Sequence, residues 1–493
     1  MAQHRETAVL IVGTGFSGLG MAIELKRTGR HDFVVLEKAS DLGGTWRDNQ
    51  YPGCACDVQS HMYSYSFELN PTWSRAFAEQ PEIWDYLQRV ADKYGIRPHI
   101  TFNSEFTGAR WDEDAKAWHI SVANGDTYTA KALVMGMGAL HLPNIPALPG
   151  IESFEGKVFH SAQWDHDYDL AGKKVAVVGT GASAIQFVPK IADQVAQLDV
   201  FQRTPPWIMP KADQEITSRQ HKVFRRVPFA QRLQRALVYW MREVTALGFA
   251  RNPRILQFAQ LFASRHMKRS IKDPVLRAKL TPDYTLGCKR VLISNDYYPA
   301  LNRSNVDVVT DGVASVRAHS IVDGAGVSHP VDAIIYGTGF HVIDAFGYLD
   351  ITGKDGRDLA KEWADNGVES HLGITVSGFP NFFFLLGPNT GLGHNSVVFM
   401  AESQIRYVSQ CLRLLDRADE IEVRADVQQR FNAEIQRKLA RGVWTEGGCK
   451  SWYLDAKGVN RTIWPGFTWE YWARTKKVRA DDFALSERAR VSA

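Results

Sequence analysis

Apolar positions along this chain fall into two kinds of block. Short, nearly continuous apolar runs at residues 8–12, 33–36, 133–136, 174–178, 198–201, 334–336 and 380–386 read as strands covered on both faces, as in a parallel sheet. Residues 19–27 and 401–415 carry the longer spacing of helices. This alternation predicts an α/β chain. From 212 to 282 the rhythm breaks. There Arg225, Arg226, Arg232, Arg235, Arg242, Arg251, Arg254, Arg265, Lys268, Arg269 and Lys272 interleave with Phe, Leu, Tyr239 and Trp240 at helical spacing, which predicts an inserted helical subdomain. Such a basic run could meet a membrane surface or a partner, although a solvated helix face is the commoner use of one. A proline-rich connector at 142–150 marks a domain boundary.

The first strand runs straight into Gly13-Thr-Gly15-Phe-Ser-Gly18, and the strand at 174–178 into Gly179-Thr-Gly181-Ala-Ser-Ala184. Glycines at this spacing allow a tight turn, close approach to a pyrophosphate and close helix–strand contact, with the phosphates resting on a helix N-terminus. Two such loops predict two Rossmann-type domains that must bring two dinucleotides together. After the first loop, the strand at 33–36 ends in Glu37. A carboxylate there accepts ribose hydroxyls and repels a 2′-phosphate, favouring FAD or NAD. After the second, the equivalent strand ends in Gln202-Arg203-Thr204, and an arginine there can clamp the 2′-phosphate of NADP(H).

Composition narrows the class little further. The 493 residues suggest about three structural units, and a net charge of +4 argues for neither nucleic-acid nor membrane-surface binding by the chain as a whole. Five cysteines (Cys54, Cys56, Cys288, Cys411 and Cys449) are sparse and odd in number, a set suited to a reducing compartment rather than a disulfide framework. Cys54-x-Cys56 has no second Cys/His pair nearby, so no metal is expected. With no signal-like segment at the start and no apolar stretch of about 18 residues, a cytoplasmic protein without a membrane span is expected.

Between the two loops lies Phe154-x-Gly156-x-x-x-His160-x-x-x-Trp164-Asp165, and after the first comes Gly44-Thr45-Trp46 with Tyr51-Pro-Gly53 and Asp57. Both segments resemble motifs of the type I Baeyer–Villiger monooxygenases, flavin enzymes that insert oxygen beside a ketone carbonyl. Gly287-Cys288-Lys289-Arg290 resembles the Lys-Arg segment of the cyclohexanone and phenylacetone monooxygenases, and Ser451-Trp452-Tyr453 resembles a mobile loop of that family.

The resemblance covers nearly the whole chain, and what it implies is specific. Gly13, Gly15, Gly18, Glu37, Gly44, Thr45, Trp46, Asp57 and Tyr63 would hold FAD. Thr180, Gly181, Ala182, Ser183, Ala184, Gln186, Arg203, Thr204 and Lys289 would hold NADP(H), with Trp452 folding over it. Arg290 would be the catalytic cation, held by Asp57, and His160 a link between domains rather than a base. The loop through His394, Asn395 and Ser396 would approach FAD. The implied organisation is an FAD domain at 1–145 and 341–493, an NADP domain at 151–211 and 283–340, and the helical insertion at 212–282. The implied chemistry is oxygen uptake at flavin C4a, attack of the peroxide on a ketone, and rearrangement of the tetrahedral adduct to an ester or lactone. A flavin-containing monooxygenase oxidising nitrogen or sulfur is the alternative, but that class tends to carry Tyr or Phe where Trp164 stands.

Overall fold

Each apolar run becomes a strand because both of its faces are covered. In His4–Val12, Val9 and Ile11 enter one core while Leu10 and Val12 enter another on the opposite side of the sheet. The computed structural model describes residues 2–342, 347, 349–449 and 451–487. The part expected as 341–493 therefore includes positions 343–346, 348, 450 and 488–493, which lie outside the described residues.

The larger sheet orders its strands Asp350–Thr352, Phe106–Asp112, Ala117–Val122, Thr127–Met135, His4–Val12, Phe33–Leu36 and Ile100–Thr101. Thr127–Met135 pairs through its first half with Ala117–Val122 and through its end with Phe382–Phe384. The phenylalanine run near the chain end thus returns to the strand that the first loop rests against. Helix Phe16–Arg27 lies on one face, packed against helix Val397–Leu414. Trp111, Trp118 and Phe382 fill the other.

The smaller sheet is all parallel: Val306–Val309, Gln197–Phe201, Lys174–Val178, Ala333–Tyr336 and Lys157–His160. Two stretches of chain connect the sheets, and they run side by side. Asn144 N donates to Gly339 O (2.9 Å) and His341 N to Leu142 O (2.9 Å), with Pro143 bridging Phe340. The fingerprint strand ends beside this junction: the His160 ring lies edge-on to Phe340 at 5.7 Å, and its Nδ1 accepts from Ala162 N at 3.1 Å. Burial lowers the His160 pKa.

The insertion is helical as expected, with helices Ser218–Arg226, Pro228–Ala246, Leu256–Ser270 and Pro274–Lys279. Its base is pinned by parallel pairing of Ile208–Met209 with Leu292–Ile293.

Near the chain end, strand Phe483–Glu487 pairs antiparallel with Ala418–Val423, and Phe483 is buried. One expectation is corrected. The five cysteines are not all free thiols: Cys288 and Cys449, 161 residues apart, form a disulfide. Spacing along the chain carries no information about a contact made only by folding. Cys54, Cys56 and Cys411 are buried and free.

Candidate active site

The first loop owes its shape to its glycines. Gly13 has φ +96°, and a Cβ on Gly18 would lie 1.8 Å from Gly13 O, so neither position accepts a side chain. Helix Phe16–Arg27 therefore starts hard against the strand end, with its free N–H groups turned toward a cavity of about 400 Å³. Gly13, Gly15, Glu37, Gly44, Thr45, Trp46, Tyr63, Arg290 and Trp452 all line this cavity. Folding has gathered nine of the expected residues, from six stretches of the chain, around one space.

Glu37 is buried and already well supplied with donors. Thr14 N (3.1 Å), Thr14 Oγ1 (2.5 Å) and Ala39 N (3.0 Å) donate to it, and Arg47 pairs with it at 2.9 Å. Sequence reasoning missed Arg47, although it directly follows Gly44-Thr45-Trp46. Trp46 Nε1 donates to Tyr63 Oη at 3.1 Å, with the rings at 74°, so each fixes the other on the cavity wall.

Arg290 and Asp57, 233 residues apart, meet at the rim: Nη2 and Nε donate to Asp57 Oδ2 at 2.5 and 2.9 Å. Arg242, from helix Pro228–Ala246, donates to Asp57 O (2.8 Å) and Gln59 Oε1 (2.5 Å). Burial raises the Asp57 pKa, but the charge and hydrogen bonds of Arg290, with the charge of Arg242, outweigh it and hold the carboxyl below its usual range. Asp57 in turn raises the Arg290 pKa. The guanidinium is thus a permanent cation, aimed and kept at the cavity. Tyr453 is buried near this pair, and burial pushes its hydroxyl up to about 12. Arg242 was hidden in a run of basic residues, and nothing local to the sequence set it apart.

The second loop is open. Thr180 and Ser183 are half-buried, Gly181 and Ala182 exposed, and Ala184 buried where its helix meets the sheet. Thr180 Oγ1 donates to Thr204 O at 3.4 Å. Arg203 is exposed, and Lys289 lies over the Tyr284 ring at 5.1 Å. Burial and the neighbouring Arg203 charge both lower the Lys289 pKa. Two cations are therefore held close together, and neither makes an ion pair among the described residues. Asp283 is the nearby negative charge and offsets the repulsion only in part, so two like charges held this way fit a phosphate dianion between them.

Two expectations differ in detail. The side-chain amide of Gln186, assigned to the cofactor, instead clamps the two units: its Oε1 accepts from Tyr51 Oη (2.9 Å) and Ala55 N (3.3 Å), and its Nε2 donates to Ala55 O (3.0 Å). In the loop expected to approach the flavin, Leu386–Pro388 and Thr390–Leu392 supply the cavity wall. His394 and Asn395 turn away to Glu243, with Asn395 Nδ2 donating to its Oε1 at 2.7 Å.

Two dinucleotide cradles converging on a fixed Asp–Arg pair define a two-dinucleotide oxidoreductase. Residues 10–227 match the family model described as pyridine nucleotide-disulphide oxidoreductase. The chain is 54% identical over 488 residues to a Baeyer–Villiger monooxygenase of Pseudomonas aeruginosa, covering 98% of this chain and 92% of that one. Among solved structures it is similar to the closed form of cyclohexanone monooxygenase, with a TM-score of 0.88 and 27% identity, covering 99% of this chain and 100% of that chain. It is also similar to OTEMO in complex with FAD and NADP, with a TM-score of 0.88 and 28% identity, covering 97% and 99% of the two chains. This chain belongs to the Baeyer–Villiger monooxygenase family.

Proposed function

We propose that this protein binds FAD and NADPH and uses O2 to convert small ketones to esters or lactones. The observation that carries the reading is the Arg290–Asp57 pair at the rim of the glycine-walled cavity, one residue from Lys289. The first loop keeps its tight turn and its close helix–strand contact only because Gly13 and Gly18 carry no Cβ, which would run into Gly136 O and Gly13 O. The free pair Arg203 and Lys289 suits the 2′-phosphate of NADPH. Bound FAD, reduced by NADPH, supplies the chemistry of oxygen activation and transfer.

The chain's own residues do the rest. Arg290 stabilises negative charge developing at the transferring oxygen and the ketone oxygen. A guanidinium suits this task because it stays protonated and gives up no proton to quench the charge. Asp57 holds Arg290 by two hydrogen bonds, and Arg242 fixes the backbone beneath Asp57. Trp46 and Tyr63 wall the cavity. Trp452, half-exposed at the cavity edge, would cover the bound nicotinamide nucleotide and exclude water. We assign the FAD domain to 1–145 and 341–493, the NADP domain to 151–211 and 283–340, and the site of action to the cytoplasm.

The test is NADPH-driven turnover of the purified yellow protein on linear, cyclic and aryl ketones and one sulfide, with ester, sulfoxide and hydrogen peroxide quantified together. Ester formation coupled to NADPH use is the expected result. Sulfoxide or peroxide without ester from any ketone overturns it.

A further inference from the structure

Helix Pro228–Ala246 turns its polar side inward. Gln231 donates to Asn70 O (2.6 Å) and Arg235 to the carbonyls of His61, Met62 and Ser64. Arg242 reaches Asp57 O, and Glu243 accepts from Asn395 and from Thr468 Oγ1 at 2.7 Å each. The outward side is apolar: Phe229, Leu233, Leu237, Trp240, Met241 and Val244 follow one helical stripe, each 50–70% exposed. The next helix, Leu256–Ser270, adds Phe258, Leu261 and Phe262, 65–70% exposed. A helix on a soluble surface does the opposite. Of the 20 large apolar side chains exposed among the described residues, 14 lie between Val223 and Val275. Singly exposed apolar residues are ordinary, but a cluster of this kind marks an interaction surface.

Charge identifies the partner. Residues 212–282 hold fifteen Lys and Arg against four Asp and Glu, a net +11, so the remainder of this +4 chain carries −7. Arg225, Arg226, Arg232, Arg254, Arg265 and Arg269 are exposed and make no ion pair among the described residues. A second copy of this chain would set +11 against +11. An anionic bilayer offers an apolar interior and phosphate headgroups together, and long basic side chains snorkel to the headgroups while their neighbours sit among the acyl chains. No helix among the described residues is long and apolar enough to cross a membrane, so the contact is made lying on the surface.

We propose that the helical insertion docks this protein on an anionic lipid bilayer through the outer faces of helices Pro228–Ala246 and Leu256–Ser270. The same helix touches Asp57 with its inner side, so the bilayer lies one helix thickness from the candidate active site. The inference stands apart from the proposed reaction, because docking needs no turnover.

The full-length, flavin-loaded protein is sedimented with phosphatidylcholine vesicles and with vesicles containing about 30% phosphatidylglycerol, at low and high salt. Binding to the anionic vesicles, weakened by salt, is expected. At least about tenfold loss is expected both in the triple variant Trp240→Ser, Phe258→Ser, Leu261→Ser and in Arg225→Glu, Arg226→Glu, Arg265→Glu. All six side chains are exposed, and an unchanged thermal melt establishes that the variants fold. Three results would each overturn the proposal: no sedimentation with anionic vesicles, equal sedimentation of the apolar variant, or equal binding to neutral vesicles. A concentration-dependent dimer that the apolar variant abolishes, with no vesicle binding, would give the face to a second copy instead.

Discussion

Replacing Arg290 by alanine removes the cation that lines the cavity and is anchored to Asp57. A unit charge about 4 Å from developing negative charge, in a site of effective dielectric about 20, is worth about 4 kcal/mol. Each ~1.4 kcal/mol is a factor of ten in rate, so the upper limit is about a thousandfold. Asp57, bonded to the guanidinium at 2.5 Å, screens part of that field, and Arg242 leaves some positive charge beside the site. The expected loss in ester formation is therefore about 10² to 10³-fold, the range found on removing one preorganised donor. Flavin reduction by NADPH needs the nucleotide cradles rather than this charge, so anaerobic stopped-flow absorbance should show Arg290→Ala reduced within about fivefold of the parent. Product analysis should then show NADPH consumed with hydrogen peroxide in place of ester. Arg290→Lys keeps the charge but loses the fork that grips Asp57 Oδ2 through both Nε and Nη2, and should fall between. Ester formation by Arg290→Ala within about fivefold of the parent, with coupling intact, would refute the reasoning.

Other consequences are as direct. Arg203→Ala should raise the KM for NADPH by about 10 to 100-fold and leave that for NADH nearly unchanged, as steady-state kinetics with both nucleotides would report. Gly18→Ala places a methyl 1.8 Å from Gly13 O and should give protein purified without bound flavin, read from the visible absorbance. His371 is buried, and burial together with the Arg474 charge lowers its pKa to about 4, against about 6.5 when unfolded. The unfolded chain alone takes up that proton between these values, so the contribution is intact above pH ~6.5 and lost as pH falls toward 4, by up to about 3 kcal/mol. His371→Phe should flatten this part of the stability–pH curve in chemical denaturation. His61, also lowered to about 4, chiefly by burial, should retain a similar slope.

Much of this protein was legible from local sequence. Gly13 and Gly18 dictate backbone paths that no other residue follows, and apolar runs such as residues 8–12 need cover on both faces, so the two loops and their strands could be read in place. The motif around Asp57, the Lys289-Arg290 pair and the tryptophan at 452 were recognisable as residue types at fixed spacing. Only the tertiary structure decided what they touch. Hydrogen bonding of Arg290 to Asp57 spans 233 residues, and the Cys288–Cys449 link spans 161. Arg47 on Glu37 and Arg242 under Asp57 are single members of common residue types, chosen by geometry from among many. The outward apolar face of helix Pro228–Ala246 shows the division most clearly. Periodicity along the sequence establishes that a helix has two sides, but only the packing of Arg235, Arg242 and Glu243 against the protein interior determines which side remains outside.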